Sequence, residues 1–312
     1  MPVVMQLCRM LGGTLFLLVS VQASCWAENL KVLVVLSDSS APYQSFANVL
    51  NNSLPALMRT TVLEHPEQLS SNKPQADLIV AVGMKAMEFA AAQTGIPVLA
   101  VMIPQVGYEK LMEQASTKKT SRPISAIYID QPWARRIDFW RAVLPDRPRI
   151  GLLHSPDTHL DIALLRQVAV QRGGSLVVQA VRSEDELFPT LESVLISSDV
   201  LFAIPDSMIY SSSNIRNILL TSYRHGVPII GLSQSYVNAG ALCAIFSTPE
   251  QLAVQASATV NSFARTGQLP GPQYPGTYTI AVNQQVARSL GVKLPSQEAI
   301  RRQMDKTRER DQ

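Results

Sequence analysis

Two patterns of apolar and polar residues alternate along this chain. Short, near-continuous apolar runs such as Lys31–Ser37 (KVLVVLS) and Asp77–Val82 (DLIVAV) are typical of parallel strands that are buried on both faces. Between such runs, longer stretches such as Ala41–Met58 place their apolar residues at helical spacing. The pattern therefore predicts an α/β fold, in which helices of ten or more residues cover parallel sheets.

The alternation starts again part-way along the chain. Further strands are predicted at 96–103, 125–129, 149–154, 175–181, 200–204, 227–232, 241–246 and 278–282, and the run restarts near Asp130. About ten strands are many for one sheet. We therefore predict two similar doubly wound lobes, with a charged tail from Arg301 that frays.

In doubly wound sheets, ligands bind beyond the carboxyl ends of the strands. We therefore look for ligand-binding residues in the loops that follow the predicted strands. The candidates are Ser37, Ser39, Tyr43, Gly83, Met84, Asp130, Ser155, Asp206, Gln234 and Tyr236.

Asp130 and Asp206 each have an alternative interpretation. Both carboxylates follow a strand, and either could cap a helix instead of facing a ligand. For Asp130 the helix that begins at Pro132 makes capping the stronger reading. The residues after Asp206 delay the next helix, which weakens capping there. Tyr43 and Tyr236 could stack on a ligand or pack in the protein.

The first 27 residues form a segment of a different kind. Arg9 precedes an apolar run from Met10 to Val21, and small residues lead to Ala27. This order is typical of a secretory signal peptide, and the run is too short to span a bilayer. We expect export to the periplasm, with lipidation of Cys25 as an alternative. If cleavage follows Ala27, Cys243 remains alone and is expected to be a packed, inert thiol.

Composition and motifs exclude several classes of function. The net charge is +3 and aromatic residues make up 6% of the chain, which argues against a nucleic-acid partner. No phosphate-binding loop, nucleophile elbow or metal-ligand motif is present in the sequence, so neither catalysis nor a cofactor nor a metal is expected. The arginines at 135, 136, 141, 147 and 149 predict a solvated helix face or, as the second reading, a surface for a partner.

Several separated blocks resemble a known family. They are IPDSMIYSSSNIRNILLTSYRHGVPIIGLSQSY from Ile204, IDQPWARRIDFWRAVLP from Ile129, RIGLLHSPD from Arg149 and VNQQVARSLGVKLP from Val282. They resemble the ABC transporter substrate-binding family that includes tryptophan- and tyrosine-binding members. The aromatic amino-acid binders of this family have a His-Pro and an acidic residue in the loop after the first strand. Here that loop reads SDSSAPY from Ser37 to Tyr43, so the resemblance does not name the solute.

The resemblance implies the type I periplasmic-binding fold, in which two lobes joined by a three-stranded hinge close on a solute. The hinge is expected near Ile127–Asp130, Ala241–Phe246 and Tyr278–Val282. Lobe one would comprise residues 28–128 plus 247–275, and lobe two residues 129–246 plus 276–312. The motif PDSMIYSSSN favours Asp206 as a contact for a cationic amine.

The implied function is that of a monomeric periplasmic solute-binding protein and not of an enzyme. It would capture a small solute, an amino acid being one candidate, in a cleft between the lobes and deliver it to an ABC permease and ATPase of the inner membrane. The alternative is an envelope sensor or docking protein that keeps the fold without delivering solute.

Overall fold

The computed structural model describes residues 30–56, 58–71, 75–93, 95–116, 122–158 and 160–310. The predicted signal peptide and Cys25 lie outside these residues. The chain divides into two compact units. The first contains the described residues up to Met102 with Ala115–Ile127 and Leu252–Pro272, and the second contains Ile103–Gln114, Tyr128–Gln251 and the chain from Gln273 onward. The lobe boundaries given above stay a prediction.

The first unit is built on a five-stranded sheet of order β2-β1-β3-β4-β5. Its strands are β1 (Lys31–Leu36), β2 (Arg59–Leu63), β3 (Leu78–Val82), β4 (Val98–Ile103) and β5 (Ile124–Tyr128). Its helices are α1 (Ala41–Ser53), α2 (Gln68–Ser71) and α3 (Met84–Gln93). Every residue of β3 and β4 is buried, as the continuous apolar runs predict for strands covered on both faces.

The second unit is built on a six-stranded sheet of order β11-β10-β9-β8-β6-β7. Its strands are β6 (Arg149–His154), β7 (Ser175–Ala180), β8 (Val200–Phe202), β9 (Ile229–Gly231), β10 (Cys243–Phe246) and β11 (Thr279–Val282). Its helices include α5 (Trp133–Val143), α6 (Ile162–Gln171), α7 (Leu187–Ser197), α8 (Ile215–Arg224), α9 (Gln234–Ala239), α11 (Gln284–Ser289) and α12 (Gln297–Arg310). Helix α4 (Gln105–Ser116) groups mainly with this unit, and α10 (Pro249–Thr266) mainly with the first.

The two sheets share one strand order. In each, the first strand of the unit pairs in parallel with the second strand on one side and the third strand on the other. This confirms the prediction of two similar doubly wound lobes of α/β class. One difference is β11, which pairs antiparallel with β10 at the edge of its sheet.

Some elements were missed because their local pattern is weak. Strand β2 lies at a sheet edge and has no buried residue, so it lacks the apolar run of a central strand. The charged tail was expected to fray, and that was wrong. It forms α12, which buries Ile300 and Met304 against α5.

Candidate functional site

The strand order of the second unit marks one place for a site. Chain connections from β6 run in one direction to β7 and in the other to β8, so the order reverses between β6 and β8. The loops that follow adjacent strands at such a reversal point separate and leave a crevice. The loop after β6 begins at Ser155, and the loop after β8 contains Pro205 and Asp206.

Asp206 links these two loops through hydrogen bonds to its carboxylate. One carboxylate oxygen accepts hydrogen bonds from the Ser155 backbone N–H and the Thr158 hydroxyl, both at 2.7 Å. The other accepts from the backbone N–H groups of Met208 and Ile209, both at 3.1 Å. Four hydrogen bonds on a side chain that is 6% exposed make Asp206 an organiser of the crevice walls.

The same hydrogen bonds set the charge of Asp206. Burial alone would raise the pKa of this carboxyl, but the bonds from Ser155, Thr158 and Ile209 together outweigh burial and lower the pKa. The carboxylate is therefore ionised wherever the protein is folded near neutral pH. Its contact with a ligand amine stays a prediction.

A pocket of about 510 Å³ opens beside these loops and lies wholly within the second unit. Its charged lining residues are Glu109, Asp130, Arg136 and Asp161. Its larger apolar lining residues are Trp133, Leu160, Leu164 and Ile204. A concave site with an apolar wall and a few converging charges has the character of a small-molecule site.

Asp130 is the predicted residue that lines this pocket. Its carboxylate accepts a hydrogen bond of 2.6 Å from the backbone N–H of Gln105, the first residue of α4. Asp130 therefore caps a helix, as its alternative reading held, but the helix is α4 and not the one after Pro132. Burial raises the pKa of Asp130, while the Gln105 bond and the charge of Arg136 oppose that rise.

Arg136 lies on the buried side of α5 and is 6% exposed. Its guanidinium lies over the Trp133 ring at 4.4 Å and over the Phe202 ring at 5.4 Å, and Nη2 donates to the carbonyl of Ala203. Burial lowers the pKa of Arg136 to about 10, a drop that the charge of Asp130 partly offsets. The group thus remains a cation at neutral pH.

A smaller pocket of about 220 Å³ adjoins the first. The two share four lining residues, namely Asp130, Gln131, Arg136 and Pro205. The smaller pocket extends to Leu232 and Ser233 in the loop after β9. Arg136 therefore stands where the two spaces meet.

The other predicted residues of the second unit are not among the lining residues of these two pockets. Ser155 is buried, and its Oγ lies 3.2 Å from the Thr158 hydroxyl. Gln234 is exposed at the start of α9, where its amide donates to Asn238 at 2.9 Å. Tyr236 is half-buried, with its Cβ close to Gly231. Their roles as ligand contacts stay predictions.

In the first unit, the structure brings together Ser37, Tyr43 and Gly83. The Ser37 hydroxyl donates to the Val82 carbonyl at 2.9 Å and accepts from the Ala86 N–H at 3.0 Å. Gly83 has φ +86, and a Cβ built there would lie 2.6 Å from the Tyr43 hydroxyl, so a side chain fits neither the backbone nor the space. Met84 is half-buried beside this cluster, and Ser39 is exposed.

Sequence reasoning missed Arg136 because it treated the basic cluster as one solvated face. That expectation was wrong for Arg136. The signal was present in the spacing, since Trp133, Arg136, Ile137 and Trp140 stand at i, i+3, i+4 and i+7 and therefore share one face of α5. An arginine within an apolar stripe is buried by the packing of its neighbours.

Cys243 is buried and free, and burial raises the pKa of its thiol far above the usual range. This confirms the expectation of a packed thiol. The described residues contain no cluster of three or more His, Cys, Asp or Glu side chains suited to a metal ion. Across the same part of the chain, no helix combines the length and apolar character needed to cross a membrane.

Comparison with known proteins identifies the family. The family model described as "ABC transporter substrate binding protein" matches residues 52–307, which is most of the chain. This protein belongs to that family, as the sequence blocks predicted. The family is defined by solute binding for ABC transporters and not by an enzymatic reaction. No curated protein matches this chain.

Solved structures agree on the fold. A domain from Streptococcus pneumoniae in complex with L-Trp is 18% identical, with a TM-score of 0.62, and the match covers 88% of this chain and 98% of that one. The ligand-free, open form of a substrate-binding protein with adhesive properties from Clostridium difficile is 16% identical, with a TM-score of 0.66, over 86% of this chain and 97% of that one. A conserved domain protein from Vibrio cholerae is 18% identical, with a TM-score of 0.61, over 88% of this chain and 98% of that one. The fold is the type I-like fold of periplasmic binding proteins.

Proposed function

We propose that this chain is the exported solute-binding component of an ABC-type uptake system. It holds a small solute in the pocket between the loops that follow β6 and β8, and it delivers that solute to a permease and ATPase of the inner membrane. The family supports binding for transport. The observation that carries the proposal is the pocket itself, because Asp130 in its lining is held by the first residue of α4, and Asp206 joins the two loops beside it.

The pocket favours reversible binding. Asp206 links the two loops, Asp130 is held by the start of α4, and the Arg136 guanidinium packs over two aromatic rings. Fixed groups of this kind lose little conformational entropy when a solute binds, so they can contribute affinity without any covalent step.

The test is thermal unfolding of the chain from Glu28 onward, refolded to remove any co-purified solute, against amino acids, small peptides, sugars and organic acids. The amino acids begin with L-tryptophan, the ligand of the Streptococcus pneumoniae neighbour. A solute at about 100 times its Kd stabilises the folded state by roughly 2.7 kcal/mol, so we expect a shift of several degrees with one chemical class.

A matched pair of variants locates the site. Leu164 lines the pocket and is 50% exposed, whereas Val170 on the same helix is 60% exposed and lies outside the pocket's lining. Leu164→Trp is expected to fill the pocket and to abolish the rise in unfolding temperature that the solute causes. Val170→Trp is expected to show the same rise as the wild type. If no solute of the panel raises the unfolding temperature of the wild-type protein, solute binding is contradicted and the sensor or docking alternative is favoured.

A further inference from the structure

Arg136 is a buried cation without an acidic partner at ion-pair distance in the part of the chain that the structure describes. Its side chain makes one hydrogen bond, to the Ala203 carbonyl, although a guanidinium has five N–H donors. Buried charges in proteins are ordinarily paired, because removing a charge from water is costly. Arg136 therefore keeps unused donors at the wall of a pocket.

Two aromatic rings restrict the motion of the Arg136 guanidinium. Its central carbon lies 4.4 Å from the Trp133 ring centroid and 5.4 Å from the Phe202 ring centroid. Of its three nitrogen atoms, Nη2 donates to the Ala203 carbonyl, and Nε and Nη1 make no hydrogen bond within the described part of the chain. A guanidinium with two such donors can bind a carboxylate through two parallel hydrogen bonds.

The other charges of the pocket limit the charge of that anion. Glu109, Asp130 and Asp161 line the same space as Arg136. Because three carboxylates and one guanidinium line this pocket, a negative charge on the solute is favoured only beside Arg136, and a second one would meet repulsion. The pocket therefore fits one carboxylate, either alone or with a cationic group elsewhere on the solute.

We propose that Arg136 binds the carboxylate of the transported solute and so restricts the solutes of this protein to small monocarboxylates, zwitterions included. Trp133 and Leu160 provide the apolar wall for the rest of the solute. This inference rests on the proposed function, since it names the chemical class that the same pocket selects.

The experiment compares each carboxylate with its primary amide, for example L-tryptophan with L-tryptophanamide, by thermal shift and calorimetry. We expect binding of the acid and loss of binding with the amide. Arg136→Gln is expected to weaken binding of the acid about 10- to 100-fold, the loss of a charge-assisted hydrogen bond. Arg136→Lys retains the positive charge but cannot form two parallel hydrogen bonds. Its affinity for the acid is expected to lie between those of the wild type and Arg136→Gln.

The matched control is Arg141→Gln. Arg141 lies on the same helix, packs over Trp140 and lies outside the lining of both pockets. We expect it to keep wild-type affinity. If Arg136→Gln does not fold, the affinity of Arg136→Lys for the acid is compared with that of the wild type instead. Equal affinity of the wild type for the acid and its amide also overturns the inference.

A second arm needs no knowledge of the solute. Sodium acetate, the smallest stable carboxylate with a methyl group, is compared with sodium chloride and acetamide, and it is expected to raise the unfolding temperature of the wild type more than that of Arg136→Gln. An equal effect on both proteins overturns the inference, even when the solute panel is flat. A sugar or dianion that binds wild type and Arg136→Gln equally overturns it while leaving solute binding intact.

Discussion

At the scale of single residues, the two strand-end aspartates have different tasks. Asp206 uses both carboxylate oxygens to join the loops after β6 and β8, whereas Asp130 caps α4 and also lines the pocket. The sequence predicts that both aspartates follow a strand, because an apolar run ends just before each of them. It does not reveal their partners, since Ser155 and Gln105 come from other parts of the chain.

Asp206→Asn is expected to lower the free energy of unfolding by about 1–3 kcal/mol at pH 7, because an amide group cannot accept all the bonds that two oxygens accept. Urea unfolding measures this loss. The exposed Asp157, in the loop after β6, provides the control, and Asp157→Asn is expected to stay within about 0.5 kcal/mol of wild type.

The same variant changes the acid dependence of stability. The pKa of Asp206 is lower in the folded protein than its ordinary value of 3.8, so its stabilisation is fully present above pH 3.8 and is lost as the pH falls through the folded pKa. Asparagine does not titrate. We therefore expect stability to fall more steeply for wild type than for Asp206→Asn below pH 3.8, and parallel curves would contradict the role given to Asp206.

At the scale of elements, α5 and α12 show how packing overrides local character. The charge of α12 suggests a frayed tail, yet Ile300 and Met304 stand four residues apart and pack against α5. Helix α5 carries Arg136 on the same face as Trp133 and Trp140. Because α5 carries Arg136, the packing of α12 against α5 also stabilises the position of Arg136 at the pocket.

Ile300→Ala is expected to destabilise the protein by about 2–5 kcal/mol, since it removes a fully buried side chain and leaves a cavity between α12 and α5. Arg302→Ala, an exposed position on the same helix, is expected to change stability by less than about 0.5 kcal/mol. Equal small effects in urea unfolding would show that α12 adds nothing to the core.

At the scale of the whole molecule, each unit has its own sheet and its own apolar core. The two sheets have the same order over their first five strands, and in each unit a hydrogen bond joins the segments that follow the first and third strands in the chain. The pocket with the converging charges belongs to the second unit. If this pocket is the solute site, one solute is expected per chain.

We expect calorimetry to give a stoichiometry of one solute per chain, and sedimentation to give a single species with the mass of one chain, which is 34.2 kDa for the full sequence. We expect the same species when solute is bound. A stable dimer, or half a solute per chain, would contradict both expectations.

The sequence by itself determined the class of fold, because the alternation of apolar runs and helical spacing is local and depends on burial alone. It also predicted the family, which the family model confirms, and the loops in which a site is expected. Only the tertiary structure decided which loop residues meet. Asp206 joins two loops, α12 completes a core, and Arg136 lies at a pocket wall with no ion pair in the described part of the chain. Each of these facts depends on residues that are distant in the chain. Local patterns carry information about which side chains are buried, but partner identity is set when the strands and helices pack.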